Sequence, residues 1–135
     1  MANWNFGKGI SPDRWIFAEG RADHALGLCA MLWPGIRCIG PYILREPVNM
    51  EHLRGWESGG CDRRQVETAM NAYFLENIFP HDPASPELKR GQVTRLVDIM
   101  MEMPRSKLAL AFPDRSFDVF VIDDGDDFAV SFHQA

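Results

Sequence analysis

The chain has 135 residues, of which 46% are hydrophobic and 24% charged, and this composition is typical of one globular domain that buries its own core. It excludes a disordered or fibrous protein, and no run approaches the roughly 20 apolar residues of a membrane span. The net charge is −5, and the absence of a basic stripe disfavours binding to nucleic acid. We therefore expect a cytoplasmic protein without a secretory signal or membrane partner, folded as a single domain over 1–135 with an N-terminal arm at 1–10.

The first elements are expected to be helical. Ser11 and Pro12 have the residue types of an N-cap and a first helical position, and Gly20 ends this short helix. Apolar residues then recur at helical intervals and predict a core-facing helix, through Ala25, Leu28, Cys29 and Leu32. After Pro34 and Gly35, the segment 37–45 predicts two short strands joined at Gly40 and Pro41.

Two further helices are predicted in the middle of the chain. Asn49 is expected to cap a short helix that closes at Gly59 and Gly60, and Asp62 to cap a longer helix that ends near Phe79. One face of the longer helix is expected to carry Val66, Ala69, Met70, Tyr73 and Asn77.

The last helix is expected to begin near Pro86 and to end before Pro113. Pro104 lies inside its apolar pattern, and an interior proline costs roughly 3 kcal/mol. We expect a kink or a break near Met103, with both halves packed on one core. Together these elements predict an α+β fold in which a small antiparallel sheet of two hairpins, about four strands, is packed on one side by about four helices.

The sequence VIDDGDDFAV at 121–130 predicts the second hairpin. Asp-Gly between alternating apolar residues is typical of a type I′ turn, so Asp124 and Gly125 are expected at its tip. In that register Asp123 faces Asp126, and the apolar side chains share one face of the sheet. The paired residues are then Val121 with Phe128, Val119 with Val130, Phe117 with Phe132, Ile122 with Asp127, Phe120 with Ala129 and Asp118 with Ser131.

The surplus of negative charge is confined to this hairpin. Residues 1–115 contain 14 acidic and 14 basic residues, whereas residues 116–135 contain five aspartates and no lysine or arginine. Three interpretations remain open: a solvated turn that discourages edge pairing, a surface that binds a basic partner, and a weak Mg²⁺ or Ca²⁺ site at Asp123 and Asp126. The glycine position does not fit an EF-hand loop.

No other segment has a catalytic or cofactor motif. The stretch from Gly7 to Ser11 lacks the spacing of a phosphate loop, the four histidines are isolated, and the three cysteines show no zinc or disulfide spacing. We expect reduced, buried thiols, no cofactor and no resident metal. Trp56, beside the glycine pair at 59–60, is the best candidate for an exposed contact aromatic.

Several segments resemble small acidic bacterial proteins of uncharacterised type, some of them associated with toxin immunity. The segments are HALGLCAMLWP, IRCIGPYIL, DRRQVETAMNAYFLENIF and the closing pair of strands, so the resemblance spans residues 21–133. The resemblance implies an immunity or inhibitor function and assigns no functional residue.

Our first hypothesis is therefore a non-enzymatic protein that binds a basic protein partner, a toxin in the case of an immunity protein. The predicted contact residues are Asp118, Asp123, Asp124, Asp126, Asp127 and Trp56. The alternative is a small enzyme or ligand-binding protein with a pocket between helices and sheet, near His81 or Cys61. A third hypothesis is a homodimer that buries Phe120 and Ile122 on the outer face of the sheet.

Overall fold

The computed structural model describes residue 9 and residues 11–74, 86–123 and 128–135, with only the backbone of 86–90. Within these residues the helices are α1 (Pro12–Glu19), α2 (Ala22–Leu32), α3 (Met50–Ser58), α4 (Arg63–Met70) and α5 (Pro86–Ala111). The strands are β1 (Ile36–Ile39), β2 (Tyr42–Arg45), β3 (Tyr73–Phe74), β4 (Phe117–Asp123) and β5 (Phe128–Gln134).

The α+β class with small antiparallel sheets is confirmed. The arrangement of the strands differs from the expectation, because the two hairpins lie in separate sheets. One sheet holds β1 and β2, and the other has the order β3-β5-β4. The short β3, which lies inside the expected long helix, makes β5 the central strand of its sheet.

The predicted helix starts are confirmed. Asn49 accepts a hydrogen bond from the His52 amide at 3.0 Å. Asp62 and Gln65 form a capping box, in which each side chain accepts from the backbone amide of the other residue. These bonds satisfy amides that have no partner within the helix.

The predicted end of α4 is wrong, because the helix stops at Met70 instead of near Phe79. The guanidinium of Arg45 donates to the carbonyls of Asn71 and Ala72, at 3.2 and 2.8 Å, and so occupies the acceptors that a continuing helix would use. The next two residues then pair with β5. The remainder of the predicted helix falls in 75–85, outside the described residues.

Of the kink or break expected near Met103, the break is not observed, since α5 is one helix of 26 residues with Pro104 inside it. Val97 and Met100 before the proline and Leu108 after it are buried in the same core cluster. Packing of both halves on one core offsets the backbone hydrogen bond that the proline cannot donate.

The main core lies between α5 and the β3-β5-β4 sheet. Its buried residues are Ile43, Val97, Met100, Leu108, Val119, Val130 and Phe132. A second cluster of Tyr42, Leu44, Leu53 and Val66 packs β2 against α3 and α4.

The prediction that α2 faces the core is wrong. Neither α1 nor α2 has a buried residue, and only Leu32, at the end of α2, packs partly against the main core. Phe17 is 93% exposed and Leu26 is 71% exposed. The periodicity of α2 correctly predicts a helix with an apolar face. Apart from Leu32, however, no described residue packs over that face closely enough to bury it.

Candidate functional site

The end of the β4–β5 hairpin is the candidate site, and its register differs from the predicted one. Val121 pairs with Val130, and Asp123 pairs with Phe128. The connection therefore spans residues 124–127 instead of a two-residue turn. Asp124, Asp126 and Asp127 lie in this connection, outside the described residues.

The register error has a physical reason. Side chains alternate between the two faces of a strand, so moving a partner by two residues keeps every side chain on its face. The hydrophobic pattern therefore could not distinguish the two registers, and the Asp-Gly pair favoured the wrong one. The predicted opposition of Asp123 and Asp126 is replaced by Asp123 opposite Phe128.

Asp118 lies directly opposite His133 instead of Ser131. Its side chain is 59% exposed, and its Oδ2 is 3.9 Å from Nε2 of the buried His133. Nδ1 of His133 is 2.9 Å from the carbonyl oxygen of Gln134, and the imidazole lies 5.3 Å from the ring of Phe120. Asp118 is thus an exposed carboxylate on the outer face of the hairpin, with an imidazole beside it.

Trp56 is exposed, as predicted, with 43% of its surface accessible. It lies on α3, which packs against α4. Of the candidate aspartates, Asp118 and Asp123 lie on β4, which packs against β5 and α5. The predicted contact residues are therefore divided between two parts of the fold.

Two buried polar side chains, Glu67 on α4 and Asn71 at its C-cap, anchor β5, and sequence reasoning missed both. Glu67 has no exposed surface. Its Oε1 accepts from the amide of Ile43 at 2.9 Å, and its Oε2 accepts from the amide of Gln134 at 2.7 Å. The Gln134 side chain also donates to Oε1 of Glu67. One carboxylate thus joins β2 to β5.

Asn71 makes a second connection one helical turn later. Its amide nitrogen donates to the carbonyls of Ile43 and Phe132, both at 3.1 Å, and its oxygen accepts from the Arg45 amide at 2.9 Å. Residues four apart lie on the same side of a helix. Glu67 and Asn71 therefore bond to backbone groups of both β2 and β5 and so connect the two sheets. We call this pair of residues the α4 bridge.

The α4 bridge had one signal in the sequence. The segment RRQVETAM has only three apolar residues, Val66, Ala69 and Met70, so its apolar face is narrow. A helix that packs between two sheets must also bury polar residues at the edge of that face. Such residues require hydrogen-bond partners, and the backbone edges of β2 and β5 provide them.

The cysteines do not match the expectation of buried thiols, because Cys29 and Cys38 are exposed and Cys61 is half-buried. Cys29 is exposed because α2 does not enter the core, and Cys38 lies on β1, the outer strand of its sheet. His81, the other residue of the alternative site, is outside the described residues. Among those that are described, no three His, Cys, Asp or Glu side chains form a group that could hold a metal ion.

Within the described ranges, none of the helices combines the length and the apolar character needed to cross a membrane. No family model, no curated protein and no solved structure matches the chain. The resemblance to immunity-type proteins stays a hypothesis.

Proposed function

We propose that this chain is a non-enzymatic protein of immunity or inhibitor type, which binds a basic protein partner through the acidic end of the β4–β5 hairpin. The observation that carries the proposal is the concentration of five aspartates, without a lysine or arginine, in residues 116–135. A concentrated charge accelerates encounter with an oppositely charged partner and discriminates against others.

The anchoring of β5 supports this function. The strand is paired with β3 and β4 on its two sides, and beyond β3 its edge is bonded to the α4 bridge. A surface held rigidly loses less conformational entropy on binding. The hairpin therefore presents its acidic end from a fixed base.

The cytoplasm is the proposed location of this binding. Cys29 and Cys38 are exposed free thiols, and such thiols persist in a reducing compartment. The toxin-neutralising character of the function rests on the resemblance described above. The products of neighbouring reading frames are the first candidate partners.

The test compares two variants of equal net charge. In the hairpin variant, Asp123, Asp124, Asp126 and Asp127 are replaced by Asn. In the control variant, four exposed acidic residues elsewhere are replaced by their amides, namely Glu19, Asp98, Glu102 and Asp114. Partners captured by the wild type are identified, purified and titrated against all three proteins by calorimetry.

We expect the hairpin variant to bind the purified partner roughly tenfold or more weakly, since each exposed ion pair contributes about 0.2–1 kcal/mol. The control variant is expected to bind like the wild type, and the wild-type affinity is expected to fall as salt is added. Equal affinities for the two variants would show that the hairpin does not bind the partner.

A further inference from the structure

The outer edge of β4 is a strand edge that no described residue covers, next to the acidic end of the hairpin. Among the described residues, β4 pairs only with β5. One side of its backbone is thus hydrogen-bonded, and the other faces away from the sheet. Such an edge is a template for pairing with another extended chain.

The hydrogen bonds identify which residues face outward. The amide of Ala135 donates to the carbonyl of Ser116 at 2.9 Å, so this pair is hydrogen-bonded. In an antiparallel pair, bonded and non-bonded residues alternate. Asp118, Phe120 and Ile122 therefore bond to β5, and the amides and carbonyls of Phe117, Val119 and Val121 point away from it.

The opposite side of β5 follows the same alternation. Gln134 and Phe132 lie opposite Phe117 and Val119 in the register. The amide of Gln134 and the carbonyl of Phe132 bond to the α4 bridge. These groups point away from β4, as the alternation requires. In the part of the chain that the structure describes, nothing pairs with the outward backbone groups of Phe117, Val119 and Val121.

The β4 edge lacks several of the features that prevent edge pairing, although it carries two aspartates, Asp118 and Asp123. Natural sheets protect their edges with short strands, lysine, proline or bulges. β4 has seven residues without lysine or proline, and its pairing with β5 is continuous from Phe117 to Asp123. The other outer strand of this sheet, β3, has two residues, and β1 in the second sheet has four, so both are protected by their shortness.

Charge identifies the kind of chain that fits this edge. A second copy would place another β4, with Asp118, Asp123 and no basic residue in 116–135, beside the first. Like charges across a strand pair are destabilising. An extended segment with lysine or arginine places its cations beside the exposed carboxylate of Asp118, in a part of the sequence that has no basic residue of its own.

We infer that the partner binds by strand addition, and that an extended, basic segment pairs with the outer edge of β4 through the backbone of Phe117, Val119 and Val121. The inference rests on the proposed function, because it specifies how a basic partner is held at the hairpin. Backbone hydrogen bonds supply affinity in this mode, and side chains supply specificity.

The test uses three synthetic peptides of the length of β4. The first alternates Lys with Val, the second alternates Glu with Val, and the third repeats the first with N-methyl groups on every second residue, so that it cannot donate along one edge. We expect the basic peptide to bind and the acidic one not to bind. N-methylation should weaken binding more than about tenfold, since each lost hydrogen bond is worth roughly fivefold in affinity.

Amide hydrogen exchange measured by NMR locates the contact. In the free chain we expect Asp118, Phe120 and Ile122 to exchange slowly. Val119 and Val121, whose amides face outward, should become protected only when the basic peptide is bound. A peptide that binds equally well with N-methyl groups, or leaves these two amides unprotected, would overturn strand addition and leave charge-driven binding at the hairpin intact.

A matched pair of variants provides an independent check. Val121→Pro removes an outward amide that makes no bond to β5, a position where proline is compatible with an edge strand. Cys38→Pro is the matched substitution on β1. The carbonyl of Gly35 accepts from the amide of Glu46, so this pair is hydrogen-bonded, and by alternation the amide of Cys38 points away from β2. We expect only Val121→Pro to lose the basic peptide.

Two results would contradict the inference directly. Absence of binding by the basic peptide would overturn it, whatever the variants show. A wild-type dimer in sedimentation that Val121→Pro dissociates would show that a second copy occupies the edge. The comparison of N-methylated and unmodified peptides uses only the wild-type chain, so it holds even if Val121→Pro does not fold.

Discussion

Glu67 shows how one residue determines the connection between two sheets. It is fully buried, and its two oxygens accept from two backbone amides and one side-chain amide. A buried carboxylate is costly unless hydrogen bonds replace its hydration. Because the donors come from both β2 and β5, satisfying the carboxylate also fixes the position of β5.

The contribution of Glu67 can be measured with two substitutions. Glu67→Gln keeps one acceptor oxygen, whereas Glu67→Met keeps the length of the side chain and removes both oxygens. Each buried group left without a partner costs about 1–3 kcal/mol, so we expect the free energy of unfolding in urea to fall in the order wild type, Gln, Met.

The exposed Glu102 provides the control for these substitutions. Glu102→Gln and Glu102→Met are expected to change the unfolding free energy by less than about 0.5 kcal/mol. If Glu67→Met were as stable as Glu67→Gln, the hydrogen bonds of the α4 bridge would not stabilise the fold.

The two tyrosines of the chain provide a test by pH. Burial raises the pKa of the Tyr42 phenol above 10.0, and the charge of Glu57 and the hydrogen bond to it raise it further. Burial also raises the pKa of Tyr73, although the nearby Arg45 partly opposes this. Both phenols therefore resist ionisation in the folded chain.

The sign of the pH dependence follows from these directions. Below pH 10 both states of the chain keep their phenols neutral, so the contribution to stability is complete. Above pH 10 the unfolded chain ionises first, so stability falls as the pH rises towards the folded pKa values. We expect tyrosinate absorbance to appear at higher pH in the native chain than in urea, and coinciding curves would contradict this.

Two single substitutions separate the ionisation of the two phenols. In Tyr42→Phe only Tyr73 titrates, and in Tyr73→Phe only Tyr42 titrates. Arg45 lies 3.6 Å from the centre of the Tyr73 ring, and its charge lowers the pKa of Tyr73. Arg45→Met should therefore delay the appearance of Tyr73 ionisation to still higher pH.

At the scale of elements, the sequence predicted local features better than contacts. The caps at Asn49 and Asp62 and the turn at Gly40 depend on near neighbours, and all three are found in the structure. The end of α4 depends on Arg45, far away in the sequence. The register of β4 and β5 depends on the length of the connection, because the side-chain pattern allows both registers.

α1 and α2 are expected to be the least stable of the described helices. They have 8 and 11 residues, and isolated helices shorter than about 12–15 residues are marginal in water. Neither buries a residue, so little packing stabilises them. We expect their amides to exchange by local opening, at lower free energy than the amides of β5.

Native-state hydrogen exchange over a range of urea concentrations measures this difference. For the amides of α2, the free energy of exchange should change little as urea is raised through low concentrations, because local opening exposes little surface. For the amides of the central strand β5, the free energy of exchange should fall with urea concentration as steeply as the free energy of global unfolding does. Equal protection and equal slopes for α2 and β5 would mean that α2 unfolds only with the core.

At the scale of the whole molecule, the order of helix and strand patterns predicted one α+β chain with two hairpins, and the described residues contain the paired strands of both. The narrow apolar face of α4 was the one sequence signal of the junction between them, and it did not identify Glu67, because charged residues are rarely buried. For the candidate site, the sequence alone located the aspartates and Trp56. The opposition of Asp118 and His133 required the observed register.

The α4 bridge also has a consequence for how the chain is made. Ile43 precedes Glu67 by 24 residues, whereas Gln134 follows it by 67. During synthesis β2 and α4 emerge together, but the buried carboxylate gains its remaining donors only after Gln134 has been translated. Until then the groups of the α4 bridge that bond to β5 lack their partners, and contacts over such long separations form slowly. We therefore expect the two sheets to join only after β5 has been synthesised.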